Sequence, residues 1–169
     1  MLTIKLHFVR LSKVSLADIY DQIGVYVLWS GKARAVPSYI GEGNVLQRFN
    51  EHAKKSWAAR PIDGVIALIE TSPRQKAYAE LAEAALLHVG ELIDRYPTHN
   101  GNHGKPTAAL EKCLRYQPPN IGTIRLVFSG RDPLRAPSNP PMSTKKWIVL
   151  RQSADGWHID ECHWNNRAC

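Results

Sequence analysis

The chain has 169 residues, enough for one domain that buries about 70% of its unfolded surface. Its 44% hydrophobic and 22% charged residues are those of a globular chain and exclude a disordered one. The net charge of +7 and pI near 9.5 suit a polyanionic partner.

No apolar run is long enough to cross a bilayer, and residues 1–10 are too short and too interrupted, by Lys5 and His7, for a signal peptide. Three cysteines do not form a paired framework and read as reduced thiols. The expectation is a cytoplasmic protein with no membrane association.

Residues 2–9 alternate, which predicts a strand with Leu2, Ile4, Leu6 and Phe8 on its buried side. Ser15 is placed to cap a short helix ending near Tyr20. Residues 24–29 and 39–41 are two β-prone runs around Gly, Ser and Pro, a hairpin with a loose loop. Alternation sets Val25, Val27 and Trp29 on one face and Tyr26 and Leu28 on the other. An amphipathic helix follows, on which Arg48 and His52 are four apart and share a face. Arg60-Pro61 reads as a stop, and residues 65–69 as a strand inside the sheet. Ser72-Pro73 predicts the start of a long helix over 73–95, carrying Glu80 and Glu83 three apart. Loop composition covers 97–106, and 107–114 reads as one more short helix. Beyond it, 121–128 reads as a strand and 131–142 as irregular. Residues 147–150 and 157–159 form a hairpin around Asp155-Gly156. The fold expected is α/β (α+β): a small, mixed, mainly antiparallel sheet flanked by helices over residues 1–116. A β-rich C-terminal extension over 117–169 packs on the same domain.

The stretch from Gly24 to Arg48 resembles the GIY-YIG nuclease family. Its signature stands here as Gly24-Val25-Tyr26 and Tyr39-Ile40-Gly41, followed by Gly43-Asn44 and by Arg48 on a helix. Val for Ile in the first triplet is a common variation there. The family's Glu on a later helix is matched by Glu83, between Leu81-Ala82 and Ala84-Ala85. The resemblance spans residues 22–100 and implies a metal-dependent endonuclease acting on DNA, with Mg2+ or Mn2+ and no organic cofactor. It implies Tyr26, Tyr39, Arg48, His52 and Glu83 as catalytic residues, with Glu83 on the metal. Gly41, Asn44, Arg48 and Asn100 are implied on the substrate. Three departures stand out. The Gly41–Arg48 interval is one residue short, Glu42 replaces a Lys found in some relatives, and the interval from Glu83 to Pro97 is long. The last keeps Glu80 open as a rival metal ligand.

These residue types suit the chemistry. Phosphodiester hydrolysis needs a deprotonated water, stabilised phosphate charge and relief at the leaving oxygen. A hard cation needs only one or two carboxylates when waters and substrate phosphate complete its shell. Arg48 offers a planar fork of donors to phosphate. A phenol titrates near 10, so a tyrosine base needs a neighbouring cation, and His52 is an alternative base. The bland reading of Glu83 is a salt bridge with Arg48. Two other functions stay open: a nucleic-acid-binding protein of the same fold that does not cut, and an RNase. In the tail, Trp147, Trp157 and Trp164 with Lys145, Lys146, Arg151 and Arg167 read equally as a nucleic-acid contact surface or as hairpin core with surface charges.

Overall fold

In a computed structural model of the chain, residues 1–30, 35–55, 62–100, 122–154 and 156–165 are described. The helix expected over 107–114 and the stop at 60–61 lie outside them.

The first strand, β1 (Leu2–Arg10), buries Ile4, Leu6 and Phe8 and exposes Thr3, Lys5 and His7. Leu2 is 38% exposed, because it stands at the strand's end. Helix α1 (Leu16–Ile19) is held by a capping box. Asp18 N–H donates to Ser15 Oγ, and Ser15 N–H donates to the Asp18 carboxylate at 2.9 Å. The expected hairpin is β2 (Ile23–Ser30) against β3 (Tyr39–Asn44), and it leads directly into α2 (Val45–His52). Strand β4 is Ile62–Leu68 and helix α3 is Gln75–Leu92. Ser72 does not cap α3. Its Oγ accepts from Arg74 N–H and its carbonyl from Gln75 N–H, so it closes a turn ahead of the helix. At the other end Asp94 takes a left-handed φ of 57°, which stops α3 before residue 95.

Strands β5 (Thr123–Gly130), β6 (Lys146–Ser153) and β7 (Gly156–His163) complete the chain, and β6 and β7 form the expected hairpin. All seven strands make one sheet in the order β3-β2-β4-β1-β5-β6-β7. Only β1 and β5 run parallel; the other five pairs are antiparallel. The C-terminal β region is therefore continuous with the first strand along a seven-residue register, Leu2↔Ile124 to Phe8↔Gly130.

Both faces of β2 are covered, as its alternation requires. Val25, Val27 and Trp29 join the main core with α3. Tyr26 and Leu28 pack with Ile19, Val45 and Ile66 on the side of α1 and α2. The tail's core takes Trp157 and Trp164, which are 3% and 0% exposed. Lys146 is buried as well. Its Nζ donates to Asp132 at 2.5 Å and lies 4.8 Å over the Trp164 ring. Of the tail residues read as a contact surface, these three are packing. Cys162 is disulfide-bonded, which corrects its reading as a reduced thiol; its partner lies outside the described residues. The cysteine argument for a reducing compartment falls with it. Among the described residues no helix is long and apolar enough to cross a membrane.

Candidate active site

The β2–β3 register sets Tyr26 opposite Gly41 and Leu28 opposite Tyr39. Both tyrosines then rise on the α2 side, offset by one pleat, with ring centroids 6.2 Å apart. Gly41 is the floor beneath them. A Cβ there would sit 2.5 Å from Tyr26 Oη and 2.6 Å from Tyr39 Cε1. Gly41 is buried under the rings rather than facing a substrate, so its expected role as a contact becomes one of clearance.

Helix α2 starts at Asn44, whose Oδ1 accepts from Gln47 N–H at 3.1 Å and whose Nδ2 points at Asp21, 3.4 Å away. Asn44 thus works as an N-cap that fixes α2 against the end of β3. One turn on, Arg48 passes over Gly43, with Nε 3.4 Å from where a Cβ would be. Its Nη1 is 3.0 Å from Glu51 Oε2, so the ion pair that forms is within α2 and not with Glu83. A further turn on, His52 Nε2 is 2.8 Å from Tyr26 Oη, and its ring centre is 4.5 Å from that of Tyr39. Phe49 closes the back, edge-on to Tyr26 at 5.2 Å.

Glu83 comes from α3, which packs with Val25, Val27 and Trp29 on the other face of the hairpin. Its charge and that of Arg48 both act on Tyr26 and Tyr39. Sequence reasoning missed the group beside it. Lys76 Nζ lies 3.2 Å from Glu42 and 3.4 Å from Glu80. Only the Lys76–Glu80 spacing of four residues signals any of this in the sequence. A cation therefore does stand beside residue 42, supplied by α3. The pairing also separates the rival carboxylates. Glu80 is engaged by Lys76, whereas Glu83 has no hydrogen bond or ion pair among the described residues.

The titrations follow from this packing. Burial, with Tyr39 alongside, pushes the Tyr26 phenol well above its usual value. Burial and the Glu83 charge push Tyr39 up to about 12. Burial and then the Arg48 charge lower His52, which is neutral at pH 7. Tyr26 accordingly keeps its proton and donates to His52 Nε2. Burial, followed by Glu42 and Glu80, raises the Glu83 carboxyl to about 8, against relief from Lys76 and Arg48. A carboxyl so crowded by like charge is one that a divalent cation relieves, and the residues fit a one-carboxylate site for a hard cation. Among the described residues no group of three or more His, Cys, Asp or Glu gathers as a metal cluster.

Asn100 is the expected substrate residue that the structure places elsewhere. It is 1% exposed, its Oδ1 accepts from Ile40 N–H at 2.9 Å, and its Nδ2 donates to Ile40 C=O at 2.8 Å. With His99 N–H bonded to Ser38 C=O at 2.9 Å, residues 98–100 brace the outer edge of β3. Replacing Asn100 by Ala orphans two buried backbone groups of the strand that carries Tyr39. The expected cost is about 2–4 kcal/mol, read as a lower midpoint in urea unfolding with an unchanged slope.

No protein-family model, curated protein or solved structure matches this chain.

Proposed function

We propose that the protein is a metal-dependent endonuclease of the GIY-YIG type, hydrolysing DNA phosphodiesters on the α2 side of the β2–β3 hairpin. One observation carries this reading. Tyr26, Tyr39, Arg48 and His52 stand on the α2 side of the hairpin, and the charge of Glu83, carried by α3, acts on both phenols.

Each side chain has a task. Both phenols hold their protons at neutral pH, so neither is the resting base. His52 is the ready acceptor. As a water loses its proton to Tyr26 Oη, the Tyr26 proton passes to His52 Nε2, 2.8 Å away. The water oxygen forms its bond to phosphorus and the bond to the leaving oxygen breaks. Arg48, 44% exposed, exchanges its Glu51 partner for phosphate oxygens as charge builds on them. Tyr39 donates to the phosphate or orients the water. When bound at Glu83, Mg2+ or Mn2+ supplies Lewis-acid stabilisation of the phosphate and leaving group. Asn44 and Gly41 set the positions of α2 and of the two rings.

The test is nicking of supercoiled plasmid with Mg2+ or Mn2+, using wild type, Tyr26→Phe and His52→Gln. Each variant is expected to cut about 100-fold more slowly with DNA affinity unchanged. At saturating Mg2+ or Mn2+, which keeps Glu83 ionised, the wild-type rate should fall with acid below pH 6.5, since His52 titrates below its ordinary value. Tight binding with no cutting under either cation would instead make this a nucleic-acid-binding protein. Cutting of RNA but not DNA would make it an RNase.

A further inference from the structure

We infer that the face of β1, β5, β6 and β7 that carries Lys5 and Arg125 is a second nucleic-acid contact, gripping the backbone of the same molecule to one side of the cleavage site. This rests on the reading above for its partner, but not on catalysis. Alternation along β1 sends Ile4, Leu6 and Phe8 into the main core. Val9, one residue out of phase, packs with the Tyr26 cluster. Thr3, Lys5 and His7 therefore face the same side of the sheet as α2 and the tyrosine pair, and all three are exposed. Register carries that face across β5 to Arg125 and Val127, then to Trp147 on β6 and His163 on β7.

The face has a built centre. The Arg125 guanidinium lies 4.7 Å over the Trp147 ring, and His163 stacks beside that ring at 5.7 Å and 15°. With both neighbours already against the ring, Trp147 is engaged within the sheet. What the row presents outward is guanidinium and imidazole, which suits phosphate rather than nucleobase. The charge balance agrees. Neither Lys5 nor Arg125 has a carboxylate partner among the described residues, whereas Arg151 is neutralised by Asp160 at 2.7 Å. Among the described residues Glu161 and, through its pairing with Arg151, Asp160 are the acidic side chains on this face of β7. Neighbouring strands lie roughly 4.8 Å apart, so β5 stands about 19 Å across the sheet from β3. At about 3.4 Å per nucleotide that is about six base pairs from the scissile bond.

The experiment is fluorescence anisotropy with a 30-base-pair and a 10-base-pair duplex over a salt series. It compares wild type, Lys5→Glu/Arg125→Gln and Glu83→Gln, with thermal unfolding as the check on folding. For the long duplex the double variant should bind about tenfold more weakly. Its log–log salt slope should shrink by about 2, near 0.9 per lost phosphate contact. A 10-base-pair duplex spans about 34 Å and so reaches β5 too, and the double variant should weaken it as well, whereas Glu83→Gln should leave the salt slope unchanged because it removes no cationic contact. Should Arg125→Gln loosen the fold, Lys5→Glu alone, at an exposed position, should weaken the long duplex about threefold. Unchanged affinity and slope for the long duplex overturn the inference while leaving the nuclease intact. A wild type that binds the long duplex through this face but never cuts removes the nuclease and keeps the inference. A wild type that binds neither duplex removes both.

Discussion

Glu83→Gln is expected to abolish cutting and, in the metal-free protein, to raise stability at alkaline pH. Glu83 is driven up to about 8 by burial and by Glu42 and Glu80, against an ordinary 4.5. In the folded state the carboxyl therefore holds its proton through a window where the unfolded chain has already released it. Stability falls as pH rises from about 4.5 to about 8, because ionising Glu83 in place is costly. Glutamine keeps the shape and removes that cost. Partial exposure screens the effect, which leaves a gain of about 2 kcal/mol, or about 5 °C in melting temperature, at pH 8.5. At pH 4.5 the two proteins should melt together. Adding Mn2+ should raise the melting temperature of wild type and not of the variant, with a proton released on binding below pH 8. Nicking should fall by about 100- to 1,000-fold. Equal melting of the two proteins at both pH values would sink the assignment of Glu83 as a crowded, unpaired carboxylate.

Gly41→Ala is the second large effect, and it acts through space rather than through charge. The added methyl would lie 2.5 Å from Tyr26 Oη and 2.6 Å from Tyr26 Cζ and Tyr39 Cε1. Neither ring can swing freely. Tyr26 is held by His52 and by Phe49, and Tyr39 leans on His52. Overpacking of this kind costs about 2–3 kcal/mol. A displacement near 1 Å at the reacting groups costs about 100-fold in rate. Gly122→Ala is the matched control, since nothing lies within 4 Å of its added carbon. Its melting temperature and nicking rate should match wild type. An active, stable Gly41→Ala protein would mean that the phenols do not depend on this floor.

Much of the fold was legible because local periodicity decided it. The alternation of Ile4, Leu6 and Phe8 and the split of Val25, Val27 and Trp29 from Tyr26 and Leu28 each specify an element without help from distant residues. The parallel seam of β1 on β5 was not legible, since no local pattern tells a strand which partner to choose. The same limit applied at the site. Residue types and order marked Tyr26, Tyr39, Arg48, His52 and Glu83; of these Tyr26, Tyr39 and His52 meet, with Arg48 one turn before His52 on α2. Asn100 was marked by type alone, and only coordinates show its amide spent on Ile40. The Arg48–Glu51 pair lay three residues apart in plain view, yet spacing cannot say which of two acids an arginine will choose. Lys76 was missed because its meeting with Glu42 joins a helix to a strand 34 positions earlier. Cys162 was misread because a count of three says nothing about which two meet.

The seam has a consequence for how the molecule is made. His7 and Ser129 lie side by side in the sheet although 122 positions separate them. A growing chain leaves the ribosome with β1 well ahead of β5, so one flank of that strand stays bare until β5 has been translated. During that interval an apolar ribbon of Ile4, Leu6 and Phe8 with an unpaired edge is open to other chains. Truncations that end near residue 116 would make that exposure permanent. Such fragments should be recovered as inclusion bodies even though they contain every residue of the cleavage site.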